Sequence, residues 1–196
     1  GLLIGYFGES EKERRAESIV LNRILRTVRA EQGLGISLHN AVNELLRIYL
    51  ADRAYVLMQD LTRDRLFLWQ VDSKTPPDTQ LFATEVAAAQ PSAYLLPEAS
   101  PTFYAMHTEA GVQLLALQGG DLKELASSEF PSLPFHKGYA RSVLSTAAEL
   151  GNEWFARLYL INARIGSNRE QELQFAERIL RQVAPALYSV FLVRRL

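Results

Sequence analysis

Residues Tyr139 to Ala163 read YARSVLSTAAELGNEWFARLYLINA, and this stretch decides the fold. Apolar and polar side chains alternate up to Leu150 and again from Trp154, which is the period of β-strands. Gly151-Asn152 lies between the two segments and supplies the turn of a hairpin. We therefore expect a small antiparallel sheet that contains this hairpin.

A long amphipathic run follows the break at Gly166-Ser167-Asn168 and continues to Leu196. Its main apolar stripe recurs in steps of three and four, and a second stripe runs beside it. Two stripes predict two partners: the sheet of the same chain and a helix of a second copy. The expected homodimer interface consists of Leu173, Leu180, Val183, Leu187, Val190, Ile24 and Val28. The alternative is one wide stripe buried within a single chain. Pro185 interrupts the run and should bend it or remove a hydrogen bond.

Composition excludes several classes of protein. The chain has 196 residues, 48% of them apolar and 22% charged, as in an ordinary soluble domain. Its net charge of −1 gives no field that would attract nucleic acid. Because the chain has no cysteine, disulfides, thiolate zinc sites, a cysteine nucleophile and a thioether-linked chromophore are all excluded.

The first residues, Gly1 to Phe7, are uncharged and are followed by Lys12, Arg14 and Arg15. An interfacial aromatic pair before basic residues is typical of the cytoplasmic side of a membrane. We interpret residues 1–8 as the end of a transmembrane helix, with the rest of the chain on the cytoplasmic side. The alternative is a short apolar strand or helix start that packs on the domain.

The remaining pattern gives one domain between two helices. We expect a linker helix over 9–32, a sensor core over 33–167, and an output helix over 168–196 that continues to a further domain. Within the core, the pattern predicts these elements: a helix with Ser37 as its N-cap, a hairpin of Ala54–Gln59 and Arg65–Val71, a helix over Phe82–Gln90, a strand over Val112–Leu117, and helical turns over Asp121–Ser127.

The sequence contains no Walker-type phosphate loop, no Gly-x-Ser-x-Gly elbow and no His-Glu-x-x-His motif, so we expect no catalytic residues and no metal site. Aromatic and polar side chains instead suggest a ligand pocket. The candidates are Trp69, Tyr94, Phe103, Tyr104, His107, Tyr139 and Arg141. For the aromatic residues, ordinary core packing is the alternative. His107 and His136 are candidate haem ligands or surface histidines, and His39 is expected to be exposed.

Two late arginines, Arg141 and Arg157, have two interpretations. An inward arginine would hold a carboxylate or phosphate, whereas an outward one would bridge to a neighbouring strand.

Together, the segments Arg141–Leu150 and Phe155–Ala163 and the long helix after them resemble the end of a GAF domain. Ser37–Leu50 and Ala54–Gln59 occupy the places of the family's first core helix and strand. The resemblance covers roughly Glu31 to Arg195. It implies an α+β fold, GAF/PAS-like, with an antiparallel sheet of five or six strands, helices on one face and a ligand pocket on the other. Long N- and C-terminal helices flank the sheet.

The resemblance also implies a regulatory role. Asn162 matches the asparagine of the family's cyclic-nucleotide motif, but Ala163 stands where lysine is expected. A covalent bilin needs the cysteine that is missing, while haem and cyclic nucleotides stay open. The segment from Phe175 to Leu196 resembles the linker to the phosphoacceptor region of a sensor histidine kinase. The implied parent is a two-component kinase anchored in the bacterial inner membrane.

Two hypotheses for the fragment follow. The first is a dimeric sensor domain that binds a small ligand and relays the signal through paired helices. The second is a ligand-free domain of the same fold that serves as a dimerisation and relay spacer. An enzyme of the methionine sulfoxide reductase type, which some relatives represent, needs cysteines that this chain lacks.

Overall fold

The computed structural model describes residues 15–87, 102–125 and 129–193, apart from the side chain of Val193. The expected membrane-helix end at 1–8, the candidate ligand residue Tyr94 and the last three residues lie outside this part. The expected linker helix is described only from residue 15 onward.

Three α-helices and eight strands make up the described part of the chain. Helix α1 is helical over 15–25, a 3-10 turn covers Ala30–Gln32, α2 is Leu34–Ile48 and α3 is Arg169–Val193. The strands are β1 (Arg53–Asp60), β2 (Arg65–Asp72), β3 (Thr84–Val86), β4 (Phe103–Thr108), β5 (Gly111–Gln118), β6 (Asp121–Leu125), β7 (Ser142–Leu150) and β8 (Trp154–Ile161). They form one antiparallel sheet in the order β3-β2-β1-β8-β7-β4-β5-β6.

Two predicted hairpins are confirmed. Strands β1 and β2 pair from Arg53↔Asp72 to Asp60↔Arg65, and β7 and β8 pair around the turn at Gly151. Gly151 has φ 64°, a left-handed conformation that glycine adopts without strain. The two hairpins meet where β1 pairs with β8, so the early and late parts of the chain form the centre of the sheet.

The expected count of five or six strands was too low. Asp121–Ser127 was predicted as helical turns, but Asp121–Leu125 is strand β6. Gly119 and Gly120, both at positive φ, close a two-residue hairpin turn between β5 and β6. The predicted helix over Phe82–Gln90 was also wrong, because residues 84–86 form β3 and pair with β2.

Helix α2 begins at Leu34, one turn before the predicted N-cap Ser37. The Ser37 hydroxyl is buried within the helix and donates to the backbone oxygen of Arg29 at 3.0 Å. His39 was expected to be exposed, but it is fully buried on the same helix.

The two faces of the sheet differ. Helices α1, α2 and α3 cover one face, which we call the helix-covered face; its side chains include Val56, Leu144 and Leu158. The other we call the distal face. It is formed by Tyr55, Leu57, Phe103, Ala105, Val143, Ser145, Arg157 and Tyr159, and residues Phe130, Leu133 and Phe135 pack against it.

The apolar stripe of α3 packs on its own sheet. Leu173, Leu180, Val183, Leu187, Val190 and also Ile24 are buried in the chain's own core, and Val28 is half-buried. The alternative of one wide stripe within a single chain accounts for this burial. Pro185 lies inside α3 with its ring exposed, and the helix continues through it to Val193. A homodimer remains a prediction, and its interface would have to consist of other side chains.

Candidate ligand site on the distal face

Arg157 occupies the middle of the distal face. It lies in β8, opposite Leu57 of β1 and Ala147 of β7, and only 2% of its surface is exposed. Its Nη1 donates a hydrogen bond to Ser145 Oγ at 2.9 Å. The rings of Phe155 and Tyr159 lie on either side in the strand, each with its centroid 6.0 Å from the guanidinium carbon.

Burial governs the electrostatics of this group. Loss of hydration lowers the pKa of Arg157 and raises the pKa of the neighbouring Tyr159 hydroxyl. Arginine nevertheless remains protonated, because its ordinary pKa lies far above neutrality. The distal face therefore carries a positive charge in a poorly hydrated, aromatic environment, where an anionic group is attracted most strongly.

An aromatic cluster adjoins the arginine. The Phe135 ring lies between Tyr55 and Tyr159, with centroid distances of 4.6 and 5.0 Å. The Tyr55 hydroxyl lies 3.0 Å from Nδ1 of His136, and a neutral imidazole can accept its hydrogen there. Burial, and then the charge of Arg53, lower the pKa of His136, which favours this neutral form. Through Phe135 and His136, the loop before β7 packs on the central strands β1 and β8.

The seven ligand residues predicted from the sequence do not form one group. Phe103 lies on the distal face, whereas Trp69 and Tyr104 lie on the helix-covered face. The Tyr104 hydroxyl donates to the backbone oxygen of Ala163 at 2.9 Å, which fits a structural role.

The other three predicted residues that the structure describes, His107, Tyr139 and Arg141, lie together at the end of β4. His107 is exposed, and its ring stacks between Phe130 at 4.5 Å and Tyr139 at 5.2 Å. The backbone N–H of His107 donates to the oxygen of Arg141 at 2.9 Å, and the Arg141 side chain is exposed. A role for any of these residues in ligand binding remains a prediction.

Sequence reasoning gave too little weight to the residues at the centre of the distal face. Arg157 had two interpretations, and its burial shows that the side chain points inward. That it holds a carboxylate or phosphate remains a prediction. The signal lay in β8 itself, where apolar residues occur on both alternating sets of positions and Arg157 is the only charge. A strand that is apolar on both faces is buried on both faces, so its single arginine must be buried as well.

Within residues 15–87, 102–125 and 129–193, no helix is both long enough and apolar enough to cross a membrane. In the same part of the chain, no three histidine, cysteine, aspartate or glutamate side chains come together as a metal site requires.

Solved GAF domains have a similar structure. A GAF domain from an Acinetobacter phosphoenolpyruvate-protein phosphotransferase matches 91% of this chain and 96% of its own, with a TM-score of 0.56 and 15% identity. A phycoerythrobilin-bound GAF domain from a cyanobacterial phytochrome matches 91% and 97%, with a TM-score of 0.57 and 15% identity. A phycocyanobilin-bound GAF domain from a cyanobacterial phytochrome matches 88% and 95%, with a TM-score of 0.52 and 15% identity.

No protein-family model and no curated protein matches the sequence. At 15% identity, the structural likeness establishes the fold alone. The chain has the GAF fold, as the resemblance implied.

Proposed function

We propose, on the premise of the GAF fold, that this chain is a regulatory sensor domain that binds a small anionic ligand on its distal face. The observation that carries the proposal is the burial of Arg157 at the centre of that face, hydrogen-bonded to Ser145 and flanked by aromatic rings. A buried guanidinium is costly to desolvate, and a bound carboxylate or phosphate offsets that cost. The parent protein in this proposal is a membrane-anchored two-component histidine kinase, with the domain in the cytoplasm.

The surroundings of Arg157 favour a ligand that combines an anionic group with a flat apolar body. The anion would pair with the guanidinium, and the body would pack on Phe155 or Tyr159. Haem, with its propionates, and cyclic nucleotides, with their phosphate, both have this character. Two of the similar GAF domains hold bilins. Without cysteine, this chain could take such a tetrapyrrole only non-covalently.

A route for the signal begins next to Ser145. Its chain neighbour Thr146 points to the helix-covered face, where its hydroxyl lies 2.9 Å from that of Thr102. The Thr102 hydroxyl donates to Glu177 of α3 at 2.7 Å. A ligand that displaces Ser145 would therefore also bias the position of α3. Because Arg178 of α3 pairs with Glu17 of α1 at 2.6 Å, the two terminal helices would respond together in a homodimer.

The packing of Tyr55, Phe135 and Tyr159 favours the second hypothesis. Rings at 4.6 and 5.0 Å fill the distal face beside Arg157, as they would in a ligand-free spacer. In that case the domain transmits conformation between its terminal helices without a ligand of its own.

Thermal unfolding in the presence of haem, cyclic nucleotides, biliverdin and aromatic carboxylates separates the two hypotheses. A ligand at 100 times its dissociation constant contributes about 2.7 kcal/mol, which raises Tm by roughly 5–10 °C in a domain of this size. Arg157→Met should keep the fold but lose that rise, while Arg63→Met, at an exposed turn, should retain it. If no compound raises the wild-type Tm, the spacer hypothesis replaces ligand sensing. If Arg157→Met responds equally, the ligand binds away from the distal face and the proposed site is wrong.

A further inference from the structure

We infer that the chain has a second ligand site, separate from the distal face, in the cleft between the end of α2 and the loop after β2. The cleft has a volume of about 460 Å³, within the range of small-molecule sites. Its lining includes Asn43, Arg47, Leu50, Lys74, Thr75 and Pro76. Its ligand class is a small molecule with one anionic group on a flat apolar body.

The charges of the cleft favour an anion. Arg47 and Lys74 lie on opposite walls, and none of the described lining residues is acidic. Arg47 is 3.4 Å from Glu44, a long contact at the surface that leaves the guanidinium open to solvent. Asp72 also lies near Lys74, but its carboxylate accepts hydrogen bonds from the Lys74 backbone N–H and from Arg53. The ammonium of Lys74 forms no ion pair within the described part of the chain.

Asn43 provides an unused polar group inside the cleft. The residue is only 9% exposed, and its side-chain amide forms no hydrogen bond with any of the described residues. The amide is not one of the buried polar atoms without a partner, so it is open to solvent in the cleft and can exchange water for a ligand. The Thr75 hydroxyl lies on the facing loop and is likewise without a hydrogen bond in the part of the chain that the structure describes.

The conformation and exposure of Leu50 favour an apolar ligand surface, independently of the charges in the cleft. Helix α2 ends in a Schellman arrangement, in which Ala51 N donates to Leu46 O at 2.9 Å and Leu50 N donates to Arg47 O at 3.3 Å. Leu50 has φ 50°, the left-handed position that normally belongs to glycine, and its side chain is 62% exposed. Neither backbone preference nor burial explains a leucine there. An apolar ligand surface that packs against Leu50 and Pro76 does explain it.

The site can be tested with three small probes on the ¹⁵N-labelled chain: phenyl phosphate, benzoate and benzyl alcohol. The two aromatic anions should shift the amide signals of residues 73–75 saturably, and their relative affinity tells whether phosphate or carboxylate is preferred. Benzyl alcohol, which lacks the charge, should bind at least tenfold more weakly, the loss expected for one charge-assisted hydrogen bond. If neither anion gives a saturable shift, or if the shifts fall on Arg157 and Tyr159 instead, the inference is overturned.

Variants of the lining residues test the site through both stability and affinity. Lys74→Gln should weaken anion binding about tenfold, while Lys123→Gln, on exposed β6, should leave it unchanged. Leu50→Gly should raise the Tm of the free protein, because it relieves the left-handed leucine, yet should weaken probe binding severalfold. Binding that survives both Lys74→Gln and Leu50→Gly would contradict the site. So would Leu50→Gly that raises Tm with unchanged affinity, since Leu50 would then have no part in it.

Discussion

At the scale of single residues, Gly35 controls how α2 sits against the loop before β3. A Cβ added at Gly35 would lie 2.5 Å from the backbone oxygen of Leu81 and 3.1 Å from its nitrogen. Alanine normally stabilises a helix by about 1 kcal/mol relative to glycine. At Gly35 the added methyl group would clash with backbone atoms, which cannot rotate away. Alanine should therefore destabilise the folded chain at this position. Gly35→Ala should lower the free energy of unfolding by about 1–3 kcal/mol in urea titrations.

Arg47→Ala, an exposed change in the same helix, is the matched control and should stay within about 0.5 kcal/mol of wild type. If Gly35→Ala is as stable as wild type, α2 and the loop at Leu81 can move apart without loss of folding free energy, and the prediction is wrong.

His136 gives a prediction about pH. Burial and the charge of Arg53 lower its pKa in the folded chain below the ordinary value of 6.5. As pH falls below 6.5, the unfolded chain takes up a proton that the folded chain does not, so this contribution to stability is present above 6.5 and lost below it. The loss cannot exceed about 1.4 kcal/mol per pH unit.

Urea unfolding of wild type and His136→Gln at pH 7.5 and pH 5.5 measures the effect. Wild type should lose more stability than the variant over this interval. Equal losses in the two proteins would mean that the Tyr55–His136 hydrogen bond does not depend on the neutral imidazole.

Arg157 and His39 show where residue-level prediction from sequence stops. Residue type favours the surface for both, yet both are buried. For Arg157, the apolar residues on both faces of β8 carry the signal for burial. The burial of His39 follows from elements that pack over it from distant parts of the chain, and the local pattern of α2 does not show them. Phe103 lies on the distal face, whereas Tyr104 and Trp69, which were predicted with it as ligand residues, face the helices. Alternation along a strand separates the two faces without telling which face holds a ligand.

At the scale of elements, a polar contact joins α3 to the sheet within a largely apolar interface. The Thr102 hydroxyl, at the start of β4, donates to Glu177 and also lies 2.9 Å from Thr146. Thr102→Val should lower the free energy of unfolding by about 1.5–3 kcal/mol, because a hydrogen bond to a charged group is lost. Thr84→Val, exposed on the edge strand β3, is the control and should be nearly neutral.

A double-mutant cycle isolates the contact. The combined loss in Thr102→Val/Glu177→Ala should fall short of the sum of the single losses by about 0.5–3 kcal/mol. Strictly additive losses would show that Glu177 acts only through its ion pair with Arg181, and the proposed route from Ser145 to α3 would be lost.

Elements with strong local signals were predicted well. The two hairpins β1–β2 and β7–β8 combine alternation with clear turns, and α3 follows its Asn168 cap, whose Oδ1 accepts from Gln171 N at 3.3 Å. Strands β4 and β6 were missed because their pairing comes from neighbours in the sheet. β6 reads DLKEL, with charged residues at three of its five positions, and pairs only with β5 on one edge. Such charged edge strands carry little β-propensity of their own.

At the scale of the whole molecule, the heptad pattern of α3 reflects packing on the sheet of the same chain and does not by itself indicate a coiled coil. A coiled-coil seam and a helix that lies across a sheet both show apolar residues in steps of three and four. On α3, the steps from Leu173 to Val190 face the chain's own sheet. A homodimer, which we propose as part of the sensor function, must therefore use the outward faces of the terminal helices. There, Ile19 of α1 is 61% exposed and Leu192 of α3 is 40% exposed.

Substitutions at inward and outward positions separate assembly from folding. Sedimentation at tens of micromolar should give a dimer for wild type and a monomer with unchanged Tm for Ile19→Glu and Leu192→Glu. Leu180→Glu should instead unfold the chain, because a carboxylate buried against the sheet costs more than about 4 kcal/mol. A wild type that sediments as a monomer would remove the dimer from the proposal. If Leu180→Glu yields a folded monomer from a wild-type dimer, the seam lies on the heptad after all, and α3 must leave its sheet to form it.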